Sequence, residues 1–279
     1  MIIVIMFLLD YSYTKVYQTS APRSKFQLLR NLKDKKVNYI FLGSSRVENG
    51  IVPELIKDKT GKTAVNLGFQ ASKTSDIYTV LKLLKTYNVK SDKILIQIDY
   101  IYNANGSSNI MAYQAMPFIK DNLVMKEYSD HVNPTEQYFY FFPFLRYCRN
   151  DLKIGLREII LNLAEKKTAA VAANGYCPLY GSSDDHNYKL PVSIVANNIY
   201  IDRIKKFAGK NNMNIAFFCA PFCKHTKNLD YIEKLKLKIP ELKDYSSVIK
   251  TDTLFQNCAH LNNDGALKFT KIIIDELLK

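Results

Sequence analysis

The chain has no long hydrophobic run. Its most extended wholly apolar stretch, Met1-Ile2-Ile3-Val4-Ile5-Met6-Phe7-Leu8-Leu9, stops at Asp10. That is well short of the about 20 apolar residues a bilayer span needs. The stretch also lacks the basic region and cleavage site of a signal peptide. It fits an ordinary first strand or helix, or the stub of a signal anchor. The anchor reading is favoured, and it predicts a membrane-anchored or secreted domain on the extracytoplasmic face of a bacterial membrane. Cysteine is sparse: Cys148, Cys177, Cys219, Cys223 and Cys258 make an odd number in 279 residues, which excludes a dense disulfide scaffold. Most are expected to be small buried hydrophobes. Pro221 lies between Cys219 and Cys223 and no second ligand pair follows, so no zinc site is expected. Histidine is also scarce, with four in the chain. His131, His186 and His225 lie in loop-like sequence and read as solvated. Asp184-Asp185-His186 looks ligand-like, but nothing nearby completes a metal site. Neither metal nor cofactor is expected.

Internal repeats, low-complexity tracts and clustered arginine blocks are absent too. The net charge of +13 comes mostly from lysines scattered along the chain. That pattern reads as a solvated basic surface, compatible with anionic surface polymers or lipid headgroups. Nucleic-acid binding would call for a clustered patch or a known module, and neither is present. The 47% apolar and 23% charged content excludes a disordered chain.

What the chain does have is alternation. Val37 to Leu42 is a near-continuous apolar run, as in a strand buried on both faces. A helix opens at Pro53, with proline in its first turn. A second strand follows over Thr63 to Gly68, an amphipathic helix over Asp76 to Tyr87, and a third strand over Lys93 to Asp99. From Asn103 to about Pro191 the pattern breaks, with the aromatic run Tyr138 to Phe142 and a helix near Leu152 to Leu163. A gap this long marks an inserted helical or irregular subdomain. Its aromatic run could line a ligand groove, and more often such a run is the insertion's own core. Alternation resumes with a helix over Ile194 to Ala208, a strand over Asn214 to Pro221, a helix over Asp230 to Leu237, a short fifth strand at Ser247 to Ile249, and a closing helix from Gly265 to Leu278. The predicted fold class is α/β, with a mainly parallel five-stranded sheet covered by helices on both faces. Residues 1–36 read as apolar stub and linker, with a short amphipathic helix at Phe26-Gln27-Leu28-Leu29 leading into the first strand. Residues 37–279 read as one domain carrying the insertion at about 103–191.

In an open parallel sheet, ligands bind at the carboxyl ends of the strands. Ser45, in Gly43-Ser44-Ser45-Arg46, follows the first strand; Gly68 ends the second; Asp99 ends the third. His260, in His260-Leu261-Asn262-Asn263-Asp264-Gly265, precedes the last helix. A serine hydroxyl is a poor nucleophile until a base takes its proton, and histidine is the usual base. Taken alone, Gly-Ser-Ser after a strand is more often a turn or a helix N-cap. Arg46 is a candidate for an anionic substrate, or for pairing with a carboxylate such as Glu48. Asp99 reads as a cap or a brace for the Ser45 loop.

These blocks, in this order, resemble those of the SGNH (GDSL-like) hydrolases. Gly43-Ser44-Ser45 is similar to the first block with Ser in place of the middle Asp. Asn66-Leu67-Gly68 is similar to the second, and His260 with Gly265-Ala266 to the fifth. The resemblance implies a flavodoxin-like three-layer α/β/α fold. It implies Ser45 as nucleophile, His260 as base, and the Ser45 and Gly68 N–H groups as oxyanion donors. Two positions depart from the pattern. Asn257 stands three residues before His260, where the family carries an orienting Asp; Asp252 and Asp264 are the carboxylates at hand. The third block is absent in recognisable form, leaving Asn103 or Asn105 as its substitute. The expected activity is a serine esterase or O-acyltransferase acting on acyl esters, such as acetyl esters, of a cell-surface glycan. The alternative is a catalytically weak or inactive glycan-binding accessory protein on the same fold.

Overall fold

The computed structural model describes residues 1–132, 138–182 and 188–278. The apolar runs form one sheet: β1 Tyr39–Gly43, β2 Ala64–Gly68, β3 Lys93–Gln97, β4 Ile215–Cys219 and β5 Lys243–Asp244. The strands run parallel in the order β2-β1-β3-β4-β5. This is the flavodoxin-like order, whose switch point lies where β1 and β3 meet. The helices before β3 are α1 Ile2–Thr19, α2 Lys25–Arg30, α3 Ser45–Glu48, α4 Pro53–Thr60 and α5 Thr74–Thr86. Between β3 and β4 the described residues hold α6 Asn109–Ala115, α7 Leu123–Val132, α8 Tyr138–Phe141, α9 Leu145–Arg149, α10 Asp151–Ile154, α11 Leu156–Leu163, α12 Ala169–Ala172 and α13 Ile199–Lys210. The chain closes with α14 Asp230–Lys238 and α15 Asn263–Leu277.

Side chains alternate across the strands, so each strand feeds two cores. Ile40, Leu42, Val65, Leu67, Ile94 and Ile96 pack with Phe26 of α2, Val80 and Leu84 of α5, and Ile204 of α13. Tyr39, Phe41, Ala64, Leu95 and Phe218 pack with Ile56 of α4 and Phe269 and Ile273 of α15. The result is a three-layer α/β/α fold. Each fully buried Leu, Ile or Phe contributes about 1.5–3 kcal/mol, so the two cores hold the strand ends, and the loops on them, in fixed relation.

The structure corrects several expectations. The short amphipathic stretch Phe26 to Leu29 forms α2, which carries a Ser24/Gln27 capping box and is packed into the core, with Phe26 and Leu29 fully buried. The fifth strand is Lys243–Asp244, not Ser247 to Ile249. Asp244 Oδ1 accepts the Ser246 N–H at 2.9 Å, which turns the chain out of the sheet. The helix expected over Leu152 to Leu163 is broken at Gly155 into α10 and α11. The aromatic run divides: Phe139 is buried, whereas Phe141 and Phe142 are exposed. Three of the five cysteines are buried, as expected, but two of these are bonded to each other. Cys223 and Cys258 form a disulfide, Cys148 is exposed, Cys177 is half-buried, and Cys219 alone is a buried thiol. Asp184-Asp185-His186 lies outside the described residues. Ile2 to Leu9 lies in α1, whose Asp10 and Tyr17 are buried against the insertion. Among the described residues no helix is long and apolar enough to cross a membrane.

The disulfide joins the loop after β4 to the segment before α15, closing a separation of 35 residues. Replacing both Cys223 and Cys258 with serine is expected to lower stability by about 2–4 kcal/mol. The check is the urea midpoint in non-reducing buffer; a midpoint equal to that of the parent would contradict the bond.

Candidate active site

β1 ends at Gly43, and the chain turns at once into α3. Gly43 is required here by space: a Cβ would lie 2.6 Å from Gln97 Oε1 and 2.5 Å from Val47 Cγ2. Ser44 is the N-cap, its Oγ accepting the Arg46 N–H at 3.3 Å. Gln97, fully buried at the end of β3, accepts both the Ser44 N–H and the Ser44 Oγ–H at 2.9 Å. Asn66, fully buried in β2, holds the other end of the turn. Its Nδ2 donates to Val47 O at 2.7 Å and to Ile51 O at 2.9 Å. These bonds fix Ser45 as the first residue of α3, half-buried, with its hydroxyl turned toward the last loop.

There it meets His260. Ser45 Oγ and His260 Nε2 are 2.8 Å apart. His260 lies in the short strand β7 (His260–Leu261), paired antiparallel with β6 (Phe255–Asn257). Its Nδ1 faces Asn257 Oδ1 at 3.0 Å. The same Oδ1 accepts the Ala259 N–H at 3.0 Å, while Asn257 Nδ2 donates to Gln256 Oε1 at 2.7 Å. An atom that accepts a backbone N–H is the amide oxygen, so Nδ1 must carry the ring proton. Nε2 is then the free acceptor facing the serine, the tautomer a general base requires. Burial, with the Arg46 guanidinium close by, pulls the imidazole down from its ordinary value to about 4. The ring is therefore neutral, and able to accept a proton, across the whole neutral range. Asp252 is committed elsewhere, pairing with Lys224 at 2.8 Å and His225 at 3.2 Å. Asp264 lies exposed in the first turn of α15. Asn257 thus orients His260.

Arg46 is not a substrate ligand, and it does not pair with Glu48. It is 3% exposed, and its Nε meets Asp99 Oδ2 at 2.6 Å. Its remaining donors reach Ala220 O at 2.7 Å and Pro221 O at 2.8 Å, and also Ala259 O. Its guanidinium lies 3.6 Å from the centre of the Phe222 ring. One side chain thereby joins α3, the end of β3, the loop after β4 and the His260 segment. Asp99 is its counter-charge and also accepts the Ile101 N–H at 3.2 Å. Glu48 instead pairs with the buried Lys25 of α2 at 3.0 Å, and Lys25 also donates to Gly68 O.

Two expected oxyanion donors do not serve. The Gly68 N–H is taken by Asn66 Oδ1 at 3.0 Å. Glycine is needed there for close packing, since a Cβ would lie 2.6 Å from Glu48 N and 2.7 Å from Ser44 O. Asn103 is turned away by the 3₁₀ turn Tyr100–Asn103. Its amide is spent on Ser193 O at 2.7 Å, the Val195 N–H at 3.1 Å and the Tyr231 hydroxyl at 3.2 Å. Asn105 lies exposed beyond that turn. The Ser45 N–H, at the first position of α3, has no acceptor among the described residues.

Sequence reasoning missed Gln97, Asn66 and Lys25. The first two were detectable: each is a lone polar residue inside an otherwise apolar strand run. A polar group buried in such a strand must be hydrogen-bonded to something specific. Lys25 gave no comparable signal, because it is one lysine in a polar, lysine-rich stretch.

No protein-family model matches the chain, and no curated protein matches it. Among solved structures the chain is similar to a protein from Streptococcus pneumonia provisionally named a platelet activating factor. The identity is 13%, 96% of this chain and 93% of that chain are covered, and the TM-score is 0.40. That degree of likeness carries no functional argument.

Changing Asn257 to Asp would place a negative charge against Nδ1 and favour the imidazolium. The His260 pKa is expected to rise by at least one unit from about 4. An NMR titration of the ring reads this directly; an unmoved value would show that Asn257 does not face the ring in solution.

Proposed function

We propose that this chain is a serine esterase or O-acyltransferase of the SGNH type, working through an acyl-Ser45 intermediate. The observation that carries the reading is the 2.8 Å contact between Ser45 Oγ and His260 Nε2, with the ring tautomer set by Asn257. The steps follow from that geometry. His260 Nε2 takes the Ser45 hydroxyl proton as Oγ attacks the acyl carbonyl. The tetrahedral oxyanion lies against the Ser45 N–H. Its collapse expels the alcohol, which leaves with the proton that His260 Nε2 gives back. Water or a sugar hydroxyl then attacks the acyl-serine, His260 takes the attacker's proton, and Oγ departs with it. Hydrolysis and transfer differ only in which hydroxyl takes the acyl group.

The proposed substrate class is an acyl ester, such as an acetyl ester, of a cell-surface glycan. The net charge of +13 suits an anionic polymer of that kind. The Cys223–Cys258 disulfide supports an extracytoplasmic location, since such bonds persist in oxidising compartments. A second reading is favoured by two features, the neutral Asn257 and the Gly68 N–H spent on Asn66. On that reading the chain is a glycan-binding accessory protein of low or no turnover. Loss of one oxyanion donor costs about 10²–10³ in kcat, so the esterase is expected to be slow.

p-Nitrophenyl acetate separates the two readings. The esterase turns it over, and both Ser45→Ala and His260→Ala reduce the rate at least 100-fold. Equal rates in parent and variants would overturn the enzyme. The pH profile adds a second check. A base whose pKa is lowered keeps its free lone pair to lower pH. The acid limb of kcat/KM therefore falls near pH 4 rather than near the ordinary value of about 6.5.

A further inference from the structure

We propose that the first two turns of α1 insert into a phospholipid bilayer, with an aromatic and lysine collar from α8 and its neighbours at the headgroup level. This is independent of the esterase reading. Residues 2–9 are apolar without a break, and most are exposed, with Ile2 at 73%, Phe7 at 58% and Leu8 at 62%. In a helix, successive residues are rotated by about 100°, so eight consecutive apolar residues cover the full circumference. A protein partner lying alongside would cover one stripe and leave the rest in water. Helices apolar all round are found in the cores of large proteins or in membranes, and a bilayer covers every side at once without a surrounding protein. Eight residues rise about 12 Å, enough to enter one leaflet of a hydrocarbon core about 30 Å thick.

The base of this segment is fixed to the protein and has its own composition. Asp10 is buried, pairs with Arg146 at 2.9 Å, and accepts the Phe144 N–H at 2.7 Å. That bond ties Phe144 to the base of the apolar turns, and Phe141 and Phe142 lie three and two residues before it in the chain. Both are exposed, at 69% and 58%. Lys120 and Lys126 lie 6.0 Å and 5.5 Å from the ring centre of Tyr140, next to Phe141 in α8, and Lys126 also pairs with Asp130 at 2.9 Å. Lys120 also faces Asp10 at 3.6 Å. Aromatic rings and lysines around an apolar segment match the polarity change at a membrane surface: rings sit among headgroups and ammonium groups meet lipid phosphates.

The test is flotation of the purified chain with phosphatidylcholine vesicles containing a minority of phosphatidylglycerol. The parent is expected to float with the lipid. The double variant Ile5→Asp, Leu8→Asp is expected to stay with the free protein while keeping the parent's melting temperature, because both side chains are exposed. Phe141→Ser with Phe142→Ser is expected to weaken binding several-fold. A parent that does not float, or an Asp variant that floats equally well, would overturn the proposal. So would light scattering that shows a dimer in the parent which the Asp variant abolishes, because α1 would then be covered by a second copy.

Discussion

The buried ion pair between Arg46 and Asp99 is the constraint on which the candidate site depends. A guanidinium taken out of water is tolerated only if its charge is compensated and its donors are used. Asp99 supplies the charge. Three carbonyl groups, from Ala220, Pro221 and Ala259, and the face of Phe222 supply the rest. Those partners come from three separate segments, so satisfying one side chain draws the segments together. Arg46 follows Ser45 directly, and Ala259 precedes His260 directly. The pair that could do chemistry is thus held by the neighbours on either side of it. The Cys223–Cys258 disulfide ties the same two loops a second time. Removing Arg46 would leave Asp99 buried without its counter-charge, a loss that typically costs about 3–5 kcal/mol.

Asn257 gives the site its particular character. In a serine protease triad, exchanging the acidic member for Asn costs about 10⁴ in kcat because the imidazole adopts the wrong tautomer. Here the Ala259 N–H holds the amide oxygen toward the ring, so that penalty does not apply. What is lost is the negative charge that would stabilise an imidazolium. The nearby Arg46 charge works in the same direction. The arrangement is a correctly oriented but weak base. It is suited to slow acyl chemistry on an activated or well-positioned ester.

Much of this was legible in the sequence, for reasons that can be named. The strands up to β4 stand out because buried parallel strands are apolar throughout, and Ser45 and His260 stand out because they sit where those runs end. The partner of Arg46 was not legible. Glu48 is its near neighbour in the chain, but both partners are chosen by packing: Lys25 arrives from α2 and Asp99 from the loop just after β3. Asn103 looks available in the sequence, but a short 3₁₀ turn commits its amide to the segment before α13 and to α14. The disulfide was hidden because cysteine pairing cannot be deduced from spacing. The fifth strand failed because two residues of pairing leave no periodicity to read.

On the proposed function, Arg46 and its partners hold Ser45 as a nucleophile activated by His260. Labelling the native protein with a fluorophosphonate and mapping the modified residue by mass spectrometry tests this most directly. Modification of Ser45, lost on denaturation and in a folded His260→Ala variant, is the predicted result. No modification of Ser45, or modification that persists without His260, would contradict the account.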